Sequence, residues 1–132
     1  MEQTAEKRKQ ADGGMVIPCK SSEFIRSWLE VMRPIHKLSS REMDIAAIIL
    51  GRRYVIAEDT QNKENIDKIL FNKDTKKSIA AEAGITMDHF KIVLHKMRKN
   101  DVIRGNSFNP IYTPEWHPGK TFRWVFVFRN DN

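Results

Sequence analysis

Histidine and cysteine, the side chains that most often do chemistry, are few in this chain and lack the spacing of an active site. The four histidines are His36, His89, His95 and His117, and the one cysteine is Cys19. His89 and His95 lie on different faces of any helix that contains both, so they give no metal-ligand pattern. Cys19 has no obvious histidine partner, and there is no glycine-rich phosphate loop or nucleophile elbow. We therefore expect a protein that is not an enzyme and holds neither a metal nor a cofactor.

Basic side chains are the second group that could do chemistry, and they are concentrated in one quarter of the chain. The net charge is +6 over 132 residues, and residues 72–104 carry eight basic and four acidic side chains, a net charge of +4. The eight are Lys73, Lys76, Lys77, Lys91, Lys96, Arg98, Lys99 and Arg104. Such a surface favours a polyanion, because binding releases the counterions condensed on it. A lysine-rich face that is only solvated has the same composition, so charge alone leaves both interpretations open.

The elements that must position these cations begin with a polar arm and a helix. Residues 1–20 are poor in apolar side chains and predict a flexible arm, which leaves a single domain over residues 21–132. Apolar residues at helical spacing predict a helix over residues 22–34, ended by Pro34. Its apolar stripe must be covered either by docking on the rest of the domain or by a homodimer contact.

The next helix has a clear start signal. Ser39 and Glu42 form a capping box, and the largely apolar sequence after them predicts a buried helix over residues 39–57. Residues 58–65 are polar and break the pattern, and a short helix is predicted around residues 66–71.

The C-terminal third changes to strand periodicity. Strands are predicted at residues 102–104, 108–113 and 121–129, the last because aromatic and β-branched side chains dominate the sequence TFRWVFVFR. Residues 114–120 contain two prolines and a glycine and predict a loop. Helices followed by a small antiparallel sheet define the class as α+β. No apolar run is long enough for a membrane span and the N-terminus is polar, so we expect a cytoplasmic protein with no membrane partner.

Residues 75–103 carry the most specific pattern in the chain. Ala80 provides a small side chain where two helices approach, Gly84 a left-handed turn between them, and Thr86 a cap for the second helix. The apolar positions between two such helices are filled by Ile79, Ala83, Ile85, Phe90, Val93, Leu94 and Met97. In these features the segment resembles the helix-turn-helix of the winged-helix superfamily. An ordinary helical hairpin is the alternative with a similar pattern.

The resemblance implies a winged helix-turn-helix domain with one extra N-terminal helix. The helix-turn-helix would occupy about residues 75–99 and the wing about residues 102–129. The sequence Asn109-Pro110-Ile111-Tyr112 is similar to a phrase in winged helices of plasmid and phage replication initiators. Trp116, in the loop before the last strand, is predicted to pack beneath the wing, the alternative being a contact with a sugar, a base or a partner.

In this superfamily the second helix of the pair lies in the major groove of duplex DNA, so the resemblance implies which residues contact DNA. Early outward residues would meet base edges, and flanking cations and the wing would meet the backbone or the minor groove. The implied contacts are Lys76, Lys77, Thr86, Met87, Lys91, His95, Lys96, Arg98, Lys99, His117, Lys120 and Arg123. Asp88 and Ile92 share the outward face but suit DNA less well, since a carboxylate repels phosphate and an exposed isoleucine fits a protein equally.

The sequence therefore predicts a protein that binds double-stranded DNA and acts in transcription regulation or replication initiation. The alternative is a winged helix used as a protein-interaction or structural module of a phage or mobile element. Residues 22–34 are the candidate surface for a homodimer.

Overall fold

The described chain is mixed α+β, with six α-helices followed by a two-stranded antiparallel hairpin, an order compatible with a helix-plus-wing layout. The structure is a computed structural model that describes residues 18–62, 64–117, 119–123, 125 and 127–130. The elements are α1 (Phe24–Val31), α2 (Arg33–His36), α3 (Ser40–Asp59), α4 (Glu64–Leu70), α5 (Lys73–Ala83), α6 (Met87–Lys99), β1 (Ile103–Arg104) and β2 (Ser107–Phe108). Most of the predicted N-terminal arm, residues 1–17, lies outside the described residues.

The first two helices meet at Met32, and the prediction that Pro34 ends a helix is wrong. α1 ends before Met32, and Pro34 stands in the first turn of α2. Proline is tolerated there because the first amides of a helix have no intrahelical acceptor. α1 turns Trp28 and Leu29 into the core and packs on α3, so its apolar stripe is covered within the chain.

α3 is the central helix of the core and begins where the sequence predicts. The Glu42 amide donates to the Ser39 hydroxyl over 3.1 Å, and the Ser39 amide donates to the Glu42 carboxylate over 2.8 Å, which confirms the capping box. α3 packs against α1, α4 and α5. Its fully buried side chains are Met43, Ile45, Ala46, Ile49 and Leu50. The helix is less buried towards its C-terminus, where Val55 is 55% exposed.

α4 and α5 follow as two short helices. α4 buries Ile66 and Leu70 and confirms the helix predicted in this region. α5 begins at Lys73, shortly after α4 ends at Leu70. The helix starts there because the Asn72 side chain accepts a hydrogen bond from the Thr75 amide (2.8 Å) and so caps it.

α5 and α6 are joined by a three-residue turn, and its chemistry is as predicted. Gly84 ends α5 in the left-handed conformation with φ of 70°. The Thr86 hydroxyl accepts a hydrogen bond from the His89 amide (3.1 Å) and caps α6. The apolar positions predicted between the two helices are buried, apart from the half-buried Ile85; they are Ile79, Ala83, Phe90, Val93, Leu94 and Met97. Ala80, the predicted small residue at the approach of the two helices, is buried as well.

The strand predicted at residues 108–113 is mostly not a strand. β1 and β2 pair antiparallel with Ile103 opposite Phe108, and β2 ends at that residue. Beyond it, Asn109 caps a 3-10 helix, and Pro110 has no amide with which to continue a ladder. The hairpin is therefore two residues long on each side.

The third strand predicted at residues 121–129 is absent from the described part of that segment, which excludes Trp124 and Phe126. Strand-forming side chains need a neighbouring strand edge, and the two-residue β2 offers almost none. The apolar side chains described at its far end are exposed, namely Val125, Val127 and Phe128.

The C-terminal segment packs on α1 and α3 through aromatic side chains. The Phe122 ring lies 5.3 Å from Phe24 and 5.2 Å from Trp28, centroid to centroid. The Trp116 ring lies 4.9 Å from Phe24 and 5.8 Å from Tyr54. Trp116 thus packs back on the domain, but against α1 and α3 and not beneath the wing as predicted.

Two hydrogen bonds fix the start of this segment. The Trp28 indole donates to the Ile111 carbonyl over 3.0 Å, and the Tyr54 hydroxyl donates to the Pro114 carbonyl. Burial raises the pKa of Tyr54 to about 12, so its hydroxyl keeps its proton at physiological pH.

His36 is buried at the end of α2 and uses both ring nitrogens. Its Nε2 donates to the Leu29 carbonyl (2.7 Å), and its Nδ1 accepts from the Leu38 amide (3.0 Å). The His36 carbonyl accepts from the Asn100 side chain (2.8 Å), which joins α2 to the end of α6. Only the neutral ring satisfies both nitrogen contacts, and burial lowers the pKa of His36 from its ordinary value of 6.5.

Gly84, at the end of α5, and Gly51, inside α3, give the first prediction. Replacing each by alanine should change the free energy of unfolding in opposite directions. A Cβ at Gly84 meets no atom within 4 Å, so Gly84→Ala should cost about 1–2 kcal/mol through the left-handed backbone alone. Gly51, inside α3, would place its Cβ 3.9 Å from Ile25 Cδ1, an ordinary contact. Gly51→Ala should therefore stabilise the fold by about 0.5–1 kcal/mol. Urea unfolding measures both, and destabilisation by both substitutions would contradict the description of α3.

The His36 contacts give the second prediction. Below about pH 6.5 the unfolded chain binds a proton at His36 that the folded chain resists, so the free energy of unfolding should fall as the pH is lowered. His36→Gln should be less stable at neutral pH and should lose part of this pH dependence. His89→Gln, at an exposed position, is the matched control and should keep it. Urea unfolding at several pH values between about 7.5 and 5.5 is the measurement, and the same pH dependence in wild type and His36→Gln would refute the assignment.

Candidate nucleic-acid interface

The outward face of α6 carries a line of polar side chains opposite its buried stripe. Phe90 and Val93 are among the side chains that α6 turns into the core. The exposed side chains follow one another at helical spacing on the opposite side; they are Asp88, Lys91, Ile92, His95, Arg98 and Lys99. From Lys91 to Lys99 this face is about 12 Å long at 1.5 Å per residue.

The lysines of α5 and α6 form no ion pairs with the described residues. None of the cations predicted to contact DNA forms an ion pair with another described residue. The ion-paired arginines of the described chain are Arg26, Arg33, Arg52, Arg53 and Arg104. Four of these five lie on α1, α2 and α3, so the helices behind α6 neutralise much of their own charge. The positive charge left unpaired is therefore enriched on α5 and α6.

Three of the predicted contacts are less available than the sequence suggested. Met87 is half-buried and packs against the core, so it is poorly placed to contact a thymine methyl group. Lys76 and Lys96 are half-buried, which leaves their ammonium groups near the surface but restricts their stems. Lys77 is exposed on α5, and Thr86 is exposed although its hydroxyl oxygen already accepts the capping bond.

Asp88 and Ile92 lie on this face as predicted. Asp88 stands in the first turn of α6, where a carboxylate stabilises the positive end of the helix dipole. Ile92 is 67% exposed between charged neighbours. Its apolar surface has no counterpart within the described chain, and a thymine methyl group or a protein partner could cover it.

The hairpin is tied directly to the end of α6. Arg98 Nε donates to the carbonyl of Gly105 (3.4 Å), which lies in the turn between β1 and β2 with φ of 65°. Arg104 forms two hydrogen bonds to the Asp101 carboxylate (2.9 and 2.8 Å) and lowers the pKa of that carboxyl below its usual value. The tip of the hairpin therefore lies beside the last turn of α6.

The three predicted wing contacts lie elsewhere. His117, Lys120 and Arg123 are exposed, but they stand on the segment that Trp116 and Phe122 hold against α1 and α3. The sequence assigned them to the wing, whereas the turn of the described hairpin lies at residues 105–106.

Arg41 is a residue that the sequence analysis missed. It is exposed in the first turn of α3, and its Nη2 donates to the carbonyl of Ala83, the last residue of α5 (3.1 Å). Its guanidinium is therefore held at the turn that leads into α6. The contact joins residues far apart in the sequence, and no local pattern around Arg41 indicated it.

A separate groove lies between α1, α3 and α5. It encloses about 430 Å³ and has an apolar floor with polar residues around it. Its lining residues are Ser22, Ile25, Arg26, Ala47, Ile48, Gly51, Arg52, Val55 and Glu82. Arg52 bonds Ser78 and Glu82 across one side, so the charges there are paired. This groove does not share residues with the cationic face of α6.

The described residues show no other chemical site. No group of three histidine, cysteine or acidic side chains in the described part of the chain could hold a metal ion. Within the same part, no helix combines the length and the apolar character needed to cross a bilayer.

Comparison of the chain with protein-family models, with curated proteins and with solved structures gives no significant match.

Proposed function

We propose that this protein binds double-stranded DNA with the outward face of α6 and acts in transcription regulation or replication initiation. The observation that carries the proposal is the separation of two faces on α6. One face is buried in the core, and the other presents basic side chains that no described carboxylate neutralises. A basic helix face without ion-pair partners among the described residues suits the phosphate charge of a duplex.

The dimensions of α6 agree with this role. An α-helix fits the major groove of B-DNA, which is about 12 Å wide. Lys91 and His95 lie on the outward face, where a lysine can donate to guanine and an imidazole can donate to a base or a phosphate. Lys77, on the preceding helix, is exposed and can reach a phosphate of the flanking backbone.

The same proposal assigns the fold to the winged helix-turn-helix type. Its support is the left-handed Gly84 between two packed helices, the Thr86 cap, and the hairpin that follows α6 directly. The wing in this assignment is short, because the described chain has two strands and not three.

Salt dependence gives the third prediction. Six cations of α5 and α6 near the duplex would give a slope of about −5 in log affinity against log salt, at about −0.9 per phosphate contact. Lys91→Ala combined with Lys96→Ala should weaken binding and reduce that slope by about 1.8. Lys20→Ala combined with Lys68→Ala is the matched control, because both lysines are exposed and lie on neither α5 nor α6.

Fluorescence anisotropy with a random-sequence duplex is the measurement. No detectable binding at about 50 mM salt would exclude the proposal, since non-specific binding alone should be visible there. Equal losses in the two double variants would show that α6 is not the contact surface.

Ile92 and the groove between α1, α3 and α5 favour a second candidate function, a protein-interaction or structural module of a phage or mobile element. Both are apolar surfaces that the described chain leaves uncovered. Ile92→Gln should leave the salt slope of duplex binding unchanged if α6 contacts DNA, since it removes no charge.

A further inference from the structure

Two arginines lie near the two ends of α6, and main-chain carbonyls hold both: Arg41 on α3 lies beside the turn that precedes α6, and Arg98 lies in the last turn of α6. Arg41 donates to the Ala83 carbonyl just before the turn into α6, over 3.1 Å. Arg98 donates to the Gly105 carbonyl in the hairpin turn that follows α6, over 3.4 Å. We propose that these two guanidinium groups are phosphate contacts on either side of α6, which adds Arg41 to the DNA surface. The inference rests on the proposed function.

Their hydrogen-bond partners distinguish them from the arginines elsewhere on the packed helices. Arg26, Arg33, Arg52 and Arg53 each bond a carboxylate, which cancels their charge locally. A carbonyl orients a guanidinium but leaves its full positive charge. Arg41 makes one hydrogen bond to the described residues, so most of its five N–H donors point to no protein acceptor there.

The position of Arg41 suits a phosphate of the backbone. Its carbonyl partner belongs to the last residue of α5, so the guanidinium lies beside the N-terminal end of α6. α6 has 13 residues and is about 20 Å long, so Arg41 and Arg98 stand near opposite ends of a helix that is longer than the major groove is wide. A helix that crosses the groove has its two ends near the two phosphate backbones. Guanidinium can bond phosphate through two parallel N–H groups, which a lysine cannot do.

A purely structural role is the competing explanation, since Arg41 also satisfies a free carbonyl at the end of α5. The two roles predict different effects of Arg41→Ala on the salt dependence of duplex affinity. A phosphate contact changes the number of counterions released, whereas a structural contact changes the affinity by shifting the turn and leaves that number unaltered.

The experiment compares four single variants by duplex affinity between about 50 and 200 mM salt. Arg41→Ala and Arg98→Ala should each reduce affinity about fivefold to tenfold at roughly 0.1 M salt and reduce the slope by about 0.9. Arg41→Lys should restore most of the slope because it keeps the charge. Arg33→Ala is the matched control, an exposed arginine that Glu30 already neutralises, and should bind as wild type does.

The possible outcomes separate this inference from the function on which it rests. If wild type does not bind a duplex, the proposed function and the inference about Arg41 are both wrong. If wild type binds with the expected slope and Arg41→Ala has the same affinity and slope, the inference about Arg41 fails alone. If Arg41→Ala lowers affinity with an unchanged slope and Arg41→Lys does not restore it, Arg41 is a structural residue and the inference is also overturned. Urea unfolding of each variant checks that the fold persists.

Discussion

The left-handed turn at Gly84 is the constraint on which the rest of the interface depends. α5 must stop at that residue for α6 to leave at an angle and still pack against the same core. Once the angle is set, the position of every side chain on α6 follows from the helical repeat. Phe90 and Val93 turn inward, and Lys91 and His95 must then turn outward. The burial that stabilises the domain therefore also exposes its basic face.

Local interactions were predictable from the sequence, and long-range ones were not. The Ser39 and Thr86 caps and the Gly84 turn involve residues at most a few positions apart, so the sequence contains all of their determinants. Strand formation at residues 121–129 depends on whether another strand offers an edge, which the local alternation of side chains cannot show. The same limit applies to Arg41, whose carbonyl partner lies 42 residues further along the chain.

The distribution of paired charge is more informative than the net charge. Exposed ion pairs such as the Arg26 contacts with Glu30 and Asp44 add little stability, because both charges are well solvated. Their effect is to cancel the field around α1 and α3. On α5 and α6 the lysines have no ion-pair partner among the described residues, so their mutual repulsion costs some stability. An anionic partner would remove that repulsion, so the unpaired lysines support the proposed function more directly than the total of +6 does.

The short hairpin changes how such a protein would hold DNA. Aromatic contacts of Trp116 and Phe122 hold the C-terminal segment against α1 and α3. The cations on that segment are therefore not at the hairpin tip. Under the proposed function the contact surface would consist of α6, the exposed start of α5, and the residues at the two ends of α6. A small interface of this kind has few base contacts and relies on phosphate contacts for affinity, which makes binding strongly dependent on salt. Sequence preference would then rest on the few outward side chains near the start of α6, and Ile92 is the one among them that can favour a thymine methyl group without adding charge.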